Sequence, residues 1–121
     1  MSESVLKVKS YAFAIRVVEL NRFLCAERKE FVLSKQLLRS GTAVGALIRE
    51  AEFGQSRADF RSKMTIALKE ANETQYWLSL LKDTNYIDAR GYESISNDCL
   101  ELIKMLVATV KTTKLLEKQS S

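Results

Sequence analysis

Apolar residues recur along the chain with the 3.6-residue period of helices, in four segments separated by turn-like breaks. The first runs from about Val5 to Ala26. The second runs from about Ser34 to Phe53, with Gly54 as a natural C-terminal stop. The third opens on SRAD, residues 56–59, which reads as a capping box. There the Ser56 hydroxyl would accept from the Asp59 amide, and the Asp59 carboxylate would return to the Ser56 amide. This helix continues to about Lys82. Asp88 is the expected N-cap of a fourth helix, from about Ala89 to Leu116, and the closing KQSS should fray. No period-two run marks a strand. Four helices of about 20–28 residues with short connections predict one all-α domain over residues 1–121, an antiparallel up-down-up-down four-helix bundle.

Two surfaces depart from the pattern of a lone bundle. In the first helix Ala12, Phe13, Ala14, Ile15, Val17, Val18, Leu20, Phe23 and Leu24 are apolar, and only Arg16, Glu19 and Arg22 form a clear polar strip. A bundle helix needs an apolar stripe only about 100° wide. The excess predicts a second buried face, and another subunit is the simplest cover for it. In the second helix, residues 40–46 (SGTAVGA) carry almost no bulk. An internal glycine costs about 1 kcal/mol relative to alanine. Gly41 and Gly45, with Ala43 between them, are therefore expected where two helices come nearest. A phosphate-binding glycine loop does not fit, because no strand precedes these glycines and no GK[ST] follows.

Composition narrows the chemistry. Proline is absent and glycine occurs only four times, which favours helices joined by short turns. Histidine is also absent, and with it the commonest general base and metal ligand. Cys25 and Cys99 stand far apart in apolar helical surroundings and are expected as free, buried thiols. MSESVLKVKS lacks the apolar core of a secretion signal, and no apolar stretch reaches membrane-span length. A cytoplasmic protein with no membrane partner is expected.

The densest polar chemistry lies in KMTIALKEANETQYWLSLL, residues 63–81. Lys69 and Glu73 are spaced as i,i+4 partners. Glu70 and Glu73 stand one turn apart on the side of Ile66 and Trp77, but a di-iron bundle site needs Glu-x-x-His. Hydrogen bonding at a surface or interface is the expected role of these carboxylates. Asn72, Tyr76 and Trp77 suit buried hydrogen bonds or interface anchoring. Ser40 and Thr42 have no histidine base. No catalytic residue, cofactor or metal is predicted, and the chain is read as a non-enzyme.

The net charge is +4, compatible with a polyanion partner but not demanding one. In the predicted topology one end of the bundle gathers Lys7, Lys9, Arg49, Arg57, Arg61, Lys63, Lys111, Lys114 and Lys118. Glu3, Glu50, Glu52, Asp59 and Glu117 offset only part of this. The opposite end is balanced. Repeated around a ring, the excess would release counterions from a nucleic-acid backbone. An ordinary solvated lysine-rich terminus is the alternative. Groove-reading motifs are absent, so contact would follow phosphate and shape.

RSGTAVGALIREA at 39–51, SRADF at 56–60 and KMTIALKEANETQYWLSLL resemble the bacterial four-helix-bundle family known as 23S rRNA intervening-sequence or S23 proteins. The likeness runs from about Lys7 to Lys114. It implies a small bundle assembling into a pentameric ring. It also implies kinship with accessory proteins of diversity-generating retroelements, whose basic pentamer binds a reverse transcriptase and nucleic acid. The family motif more often reads RSGTSIGANI. Ala43 and Leu47 here replace its serine and asparagine, and the hydrogen bonds of those groups are lost.

These readings converge on a homo-oligomeric scaffold, a pentamer by resemblance. Lys7, Lys9, Arg57, Arg61, Lys111, Lys114 and Lys118 are its candidate phosphate contacts on RNA or DNA. Phe13, Val17, Leu20, Gly41, Ala43, Gly45 and Trp77 are its candidates for subunit contact or close helix packing. The competing reading is a protein–protein adaptor or structural ring that binds no nucleic acid.

Overall fold

A computed structural model describes residues 2–120, with side chains placed for 5–119. The chain forms α1 (Ser2–Glu27), α2 (Leu33–Glu52), α3 (Arg57–Asp83) and α4 (Ala89–Ser120). Among the described residues there is no strand. Each helix packs on its neighbours in sequence, α4 closes back on α1, and among the described residues the diagonal pairs do not meet. This is the expected up-down-up-down bundle. No helix of the described chain is long and apolar enough to cross a membrane.

The core is built from seams at alternating three- and four-residue spacing, the geometry of near-parallel helix packing. On α1 the seam is Leu6, Ser10, Phe13, Val17, Leu20 and Leu24; on α3 it is Met64, Ala67, Ala71, Thr74, Leu78 and Leu81. Ile95, Cys99, Leu102 and Leu106 complete it from α4. The buried hydroxyls are paired: Thr74 donates to Ser40 Oγ at 3.0 Å, and Ser40 donates to the Gln36 carbonyl at 3.0 Å.

Gly41 is explained within one chain, and Gly45 stands beside it in ordinary contact. A Cβ at Gly41 would lie 2.7 Å from Val17 Cγ2, and one at Gly45 would lie 3.4 Å from the Ser10 carbonyl oxygen. The slim stretch of α2 is thus the seat of α1 of the same subunit, so it makes no demand for a second copy. Val17 is consumed in this contact and Phe13 in the core, at 0% and 2% exposure.

The helix ends follow local chemistry. Ser56 Oγ accepts from the Asp59 amide at 3.0 Å, as the capping box requires. Its return arm is absent among the described contacts, because Asp59 Oδ2 lies over Gly54, where a Cβ would sit 2.8 Å away. Gly54 does not take the left-handed conformation of a helix stop. Asp88 caps α4 by accepting from the Gly91 amide at 2.7 Å. The start of α2 holds the unexpected device. Its N-cap residue, Val32, supplies no side-chain bond. The Glu30 carboxylate instead accepts from the amides of Val32, Leu33 and Ser34 at 3.2, 3.1 and 2.7 Å. Burial opposes ionisation of Glu30, but these bonds together hold its carboxyl below the usual carboxylate range. At the other terminus α4 continues to Ser120 where fraying was expected. Arg57 reaches across to donate to the Leu116 carbonyl at 3.2 Å.

Candidate nucleic-acid and assembly surfaces

The bundle brings the predicted basic residues to one end, and it gives at least four of the nine acidic company. Lys7 pairs with Glu52 at 3.2 Å, Lys9 with Glu101 at 3.0 Å and Lys63 with Glu50 at 3.5 Å. Arg61 Nε sits between both oxygens of Glu117, at 2.8 and 2.9 Å. These bonds tie α1 to α2 and α4, and α3 to α2 and α4. Lys7, Lys9 and Arg61 therefore already serve as struts within the subunit. Lys111, Lys114 and Lys118 are exposed on α4. Together with Arg61, Leu115 and Glu117 they line an open groove of about 670 Å³. Four cations and one acid face this groove.

The outward side of α1 is the second surface. Val8, Tyr11, Ile15 and Val18 follow one another at spacings of three, four and three residues, a seam turned away from the core. Val8, Tyr11 and Ile15 are 65%, 67% and 47% exposed. Ala14 leads from this seam into a groove of about 620 Å³ against Thr42, Gly45 and Ala46 of α2, with Lys7 and Arg49 at its rim. The small residues of α2 thus do two things: they let α1 approach, and they leave an apolar furrow beside it. Sequence periodicity showed the surplus of apolar residues on α1. It did not separate the inward set (Phe13, Val17, Leu20) from the outward one.

A third cluster spans α2 and α3. Arg39 bridges Glu70, at 3.4 Å, and Glu73. The Trp77 indole N–H donates to Glu73 at 3.0 Å. That bond, and then the Arg39 guanidinium, hold the Glu73 carboxyl below the usual range despite partial burial. Trp77 is half-buried and meets the exposed Tyr76 edge to face, with centroids 4.9 Å apart. Glu73 thus pairs across helices with Arg39, whereas sequence spacing pointed to Lys69. Glu70 Oε1 is buried without a hydrogen-bond partner. Ala43 is half-buried on α2 and presents only a methyl group.

Burial sets the state of the Cys99 thiol. Both cysteines are free thiols; Cys99 is buried and Cys25 is half-buried. Cys99 donates to the Ala71 carbonyl at 3.3 Å, and burial, helped by Asp98, pushes its pKa up to about 12. Among the described residues no group of histidine, cysteine, aspartate or glutamate side chains is arranged to hold a metal ion.

Comparison with known proteins places this architecture. The family model described as 23S rRNA-intervening sequence protein matches residues 3–108. The chain is also similar to a protein of unknown function from the S23 ribosomal protein family of Bacteroides thetaiotaomicron VPI-5482, known from its crystal structure. The two share 59% identity with a TM-score of 0.90, over 92% of this chain and 99% of the other. No curated protein matches the chain.

Proposed function

We propose that this chain, which belongs to the family of 23S rRNA-intervening sequence proteins, is a non-catalytic homo-oligomeric scaffold that holds RNA or DNA on its basic surface. The observation that carries the reading is the second seam of α1. One helix bears two apolar faces at heptad spacing, and the bundle covers only one of them. A second copy is the partner that would be present wherever the chain is made. The stoichiometry, five subunits in a ring, is the one the family resemblance implies. The nucleic-acid half of the reading is supported by the lysines of α4 and by the multiplication of that charge in a closed assembly.

Light scattering of the intact chain tests assembly. The wild type is expected to be a stable oligomer at micromolar concentration, and Tyr11→Glu is expected to be a folded monomer. Filter binding to structured RNA across a salt series tests the second half. Binding that weakens steeply with salt is expected, and no binding at the lowest salt refutes it. The apolar furrow between α1 and α2 favours one other reading, a protein adaptor. On that reading, nuclease-treated pull-downs would recover a protein partner that Tyr11→Glu releases.

A further inference from the structure

We infer that the outward edge of α4 is a phosphodiester-binding line, in which Lys104, Lys111 and Lys114 track the backbone of an RNA or DNA strand. This rests on the nucleic-acid reading above and moves its centre from the end of the bundle to the flank of one helix. Lys104, Lys111, Lys114 and Lys118 follow at spacings of seven, three and four residues, so they share one face of α4 with Leu100 and Val107. At 1.5 Å per residue, Lys104 to Lys114 covers about 15 Å.

What sets these lysines apart is the fate of the acids around them. On a helix, the neighbours that matter stand three or four residues away. For Lys104, Lys111 and Lys114 the only acids at those positions are Glu101 and Glu117. Glu101 is bound to Lys9 on α1, and Glu117 to Arg61 on α3. Asp98, one turn further on, is bound to Arg16 at 2.6 Å. Cations from the two flanking helices thus occupy the acids of this half of α4, while the lysines face outward. Among the described residues, Lys104, Lys111 and Lys114 enter no ion pair or side-chain hydrogen bond, and all three are exposed.

Helix-dipole stabilisation does not account for the line. That effect fades within the last turn, and Lys104 stands more than four turns before Ser120. One strand of a duplex presents a phosphate per about 3.4 Å of axis, so a line of about 15 Å spans about four phosphates of that strand without bending it. No aromatic or amide side chain stands on the line, so contact would be to backbone and independent of sequence.

The test is fluorescence anisotropy of the full chain with a labelled RNA hairpin and a labelled DNA duplex of equal length, each across a salt series. Lys104→Gln should lower the slope of log affinity against log salt by about 0.9 for the duplex. The triple variant K104Q/K111Q/K114Q should weaken binding about a hundredfold near physiological salt. The control K35Q/K69Q, which removes two exposed lysines of α2 and α3, should leave affinity and slope within a factor of two of wild type. Circular dichroism should show all variants equally helical. Wild-type binding with a slope untouched by K104Q and by the triple variant overturns the α4 assignment alone. A wild type that binds neither probe at the lowest salt overturns the nucleic-acid reading and this inference together.

Discussion

Replacing Gly41 by alanine isolates the contact that positions α1 on α2. The added Cβ would meet Val17 Cγ2 at 2.7 Å, Cγ1 at 2.8 Å and Cβ at 3.2 Å. Val17 is wholly buried and β-branched, and in a helix its χ1 has one strongly preferred well, so it cannot turn aside. Forcing a methyl into a packed core costs about 1–3 kcal/mol. The gain from removing a helical glycine is about 0.5–1 kcal/mol. Gly41→Ala should therefore destabilise by up to about 2.5 kcal/mol, with about 1 kcal/mol at the centre of those two ranges. Gly45 is the internal control. Its nearest neighbour, the Ser10 carbonyl oxygen, lies at 3.4 Å, in ordinary contact. Gly45→Ala should be neutral or stabilising by up to about 1 kcal/mol.

Urea unfolding followed by circular dichroism measures both, at two protein concentrations so that assembly is separated from folding. A double-mutant cycle with Val17→Ala sharpens the result. In the double variant the alanine methyl at 41 occupies space vacated by the valine γ-carbons. The loss should then fall short of the sum of the single losses by about 1 kcal/mol or more. If Gly41→Ala is tolerated as well as Gly45→Ala, or if the cycle is additive, then close approach of α1 is not what the glycine is for.

Two further substitutions test the helix ends and the core. Glu30→Ala strips three amides of their acceptor at the start of α2 and should cost about 2–3 kcal/mol, with Glu30→Gln losing part of that. The Glu30 carboxyl sits below its ordinary value in the folded state. Its contribution is therefore complete above the unfolded-state value near 4.5 and is lost as pH falls through the lower folded value. In a pH series of urea midpoints, Glu30→Gln should flatten that acid limb, and an unchanged limb refutes the assignment. Cys99, with its thiol pushed up to about 12 by burial, should resist thiol reagents until the chain unfolds. Faster labelling of Cys99 than of the half-buried Cys25 in the native protein would contradict the packing of α4.

Periodicity made the four helices legible to within a few residues, since long amphipathic segments impose their own register. Ser56 and Asp88 were legible for the same reason: a short polar residue ahead of an apolar run has few other roles. Glu30 was not, because the carboxylate lies two residues before the N-cap and reaches forward across a turn. Only the path of the backbone, with Lys29 in the left-handed region, brings it there. The basic end was legible as a count of charges but not as a site. Which lysines stay outward depends on which acids are claimed by Lys9, Arg16 and Arg61 from neighbouring helices. Lys104 carried a sequence signal, a seven-residue step back from Lys111, that a tally of residues at the bundle end passes over.

The slim stretch of α2 no longer argues for assembly, so the case rests on the outward seam of α1 and can be weighed. Full burial of a side chain of this size is worth about 1.5–3 kcal/mol. Val8, Tyr11 and Ile15 keep half to two-thirds of their surface exposed. Covering that remainder gives about 1–2 kcal/mol each, or about 3–6 kcal/mol for the seam. Association costs about 4–15 kcal/mol in lost freedom. The seam alone is therefore close to break-even or below it. A stable contact has to cover the furrow of Ala14, Gly45 and Ala46 as well. A contact that needs both the seam and the furrow has a sharp consequence. A charge at Tyr11 removes the seam's most exposed contact and adds an ion to be desolvated, which together exceed any plausible margin. Tyr11→Glu should therefore abolish assembly outright while leaving urea stability of the monomer within about 0.5 kcal/mol, as expected for an exposed site. An oligomer that survives this change at micromolar concentration would place the subunit contact elsewhere on the bundle.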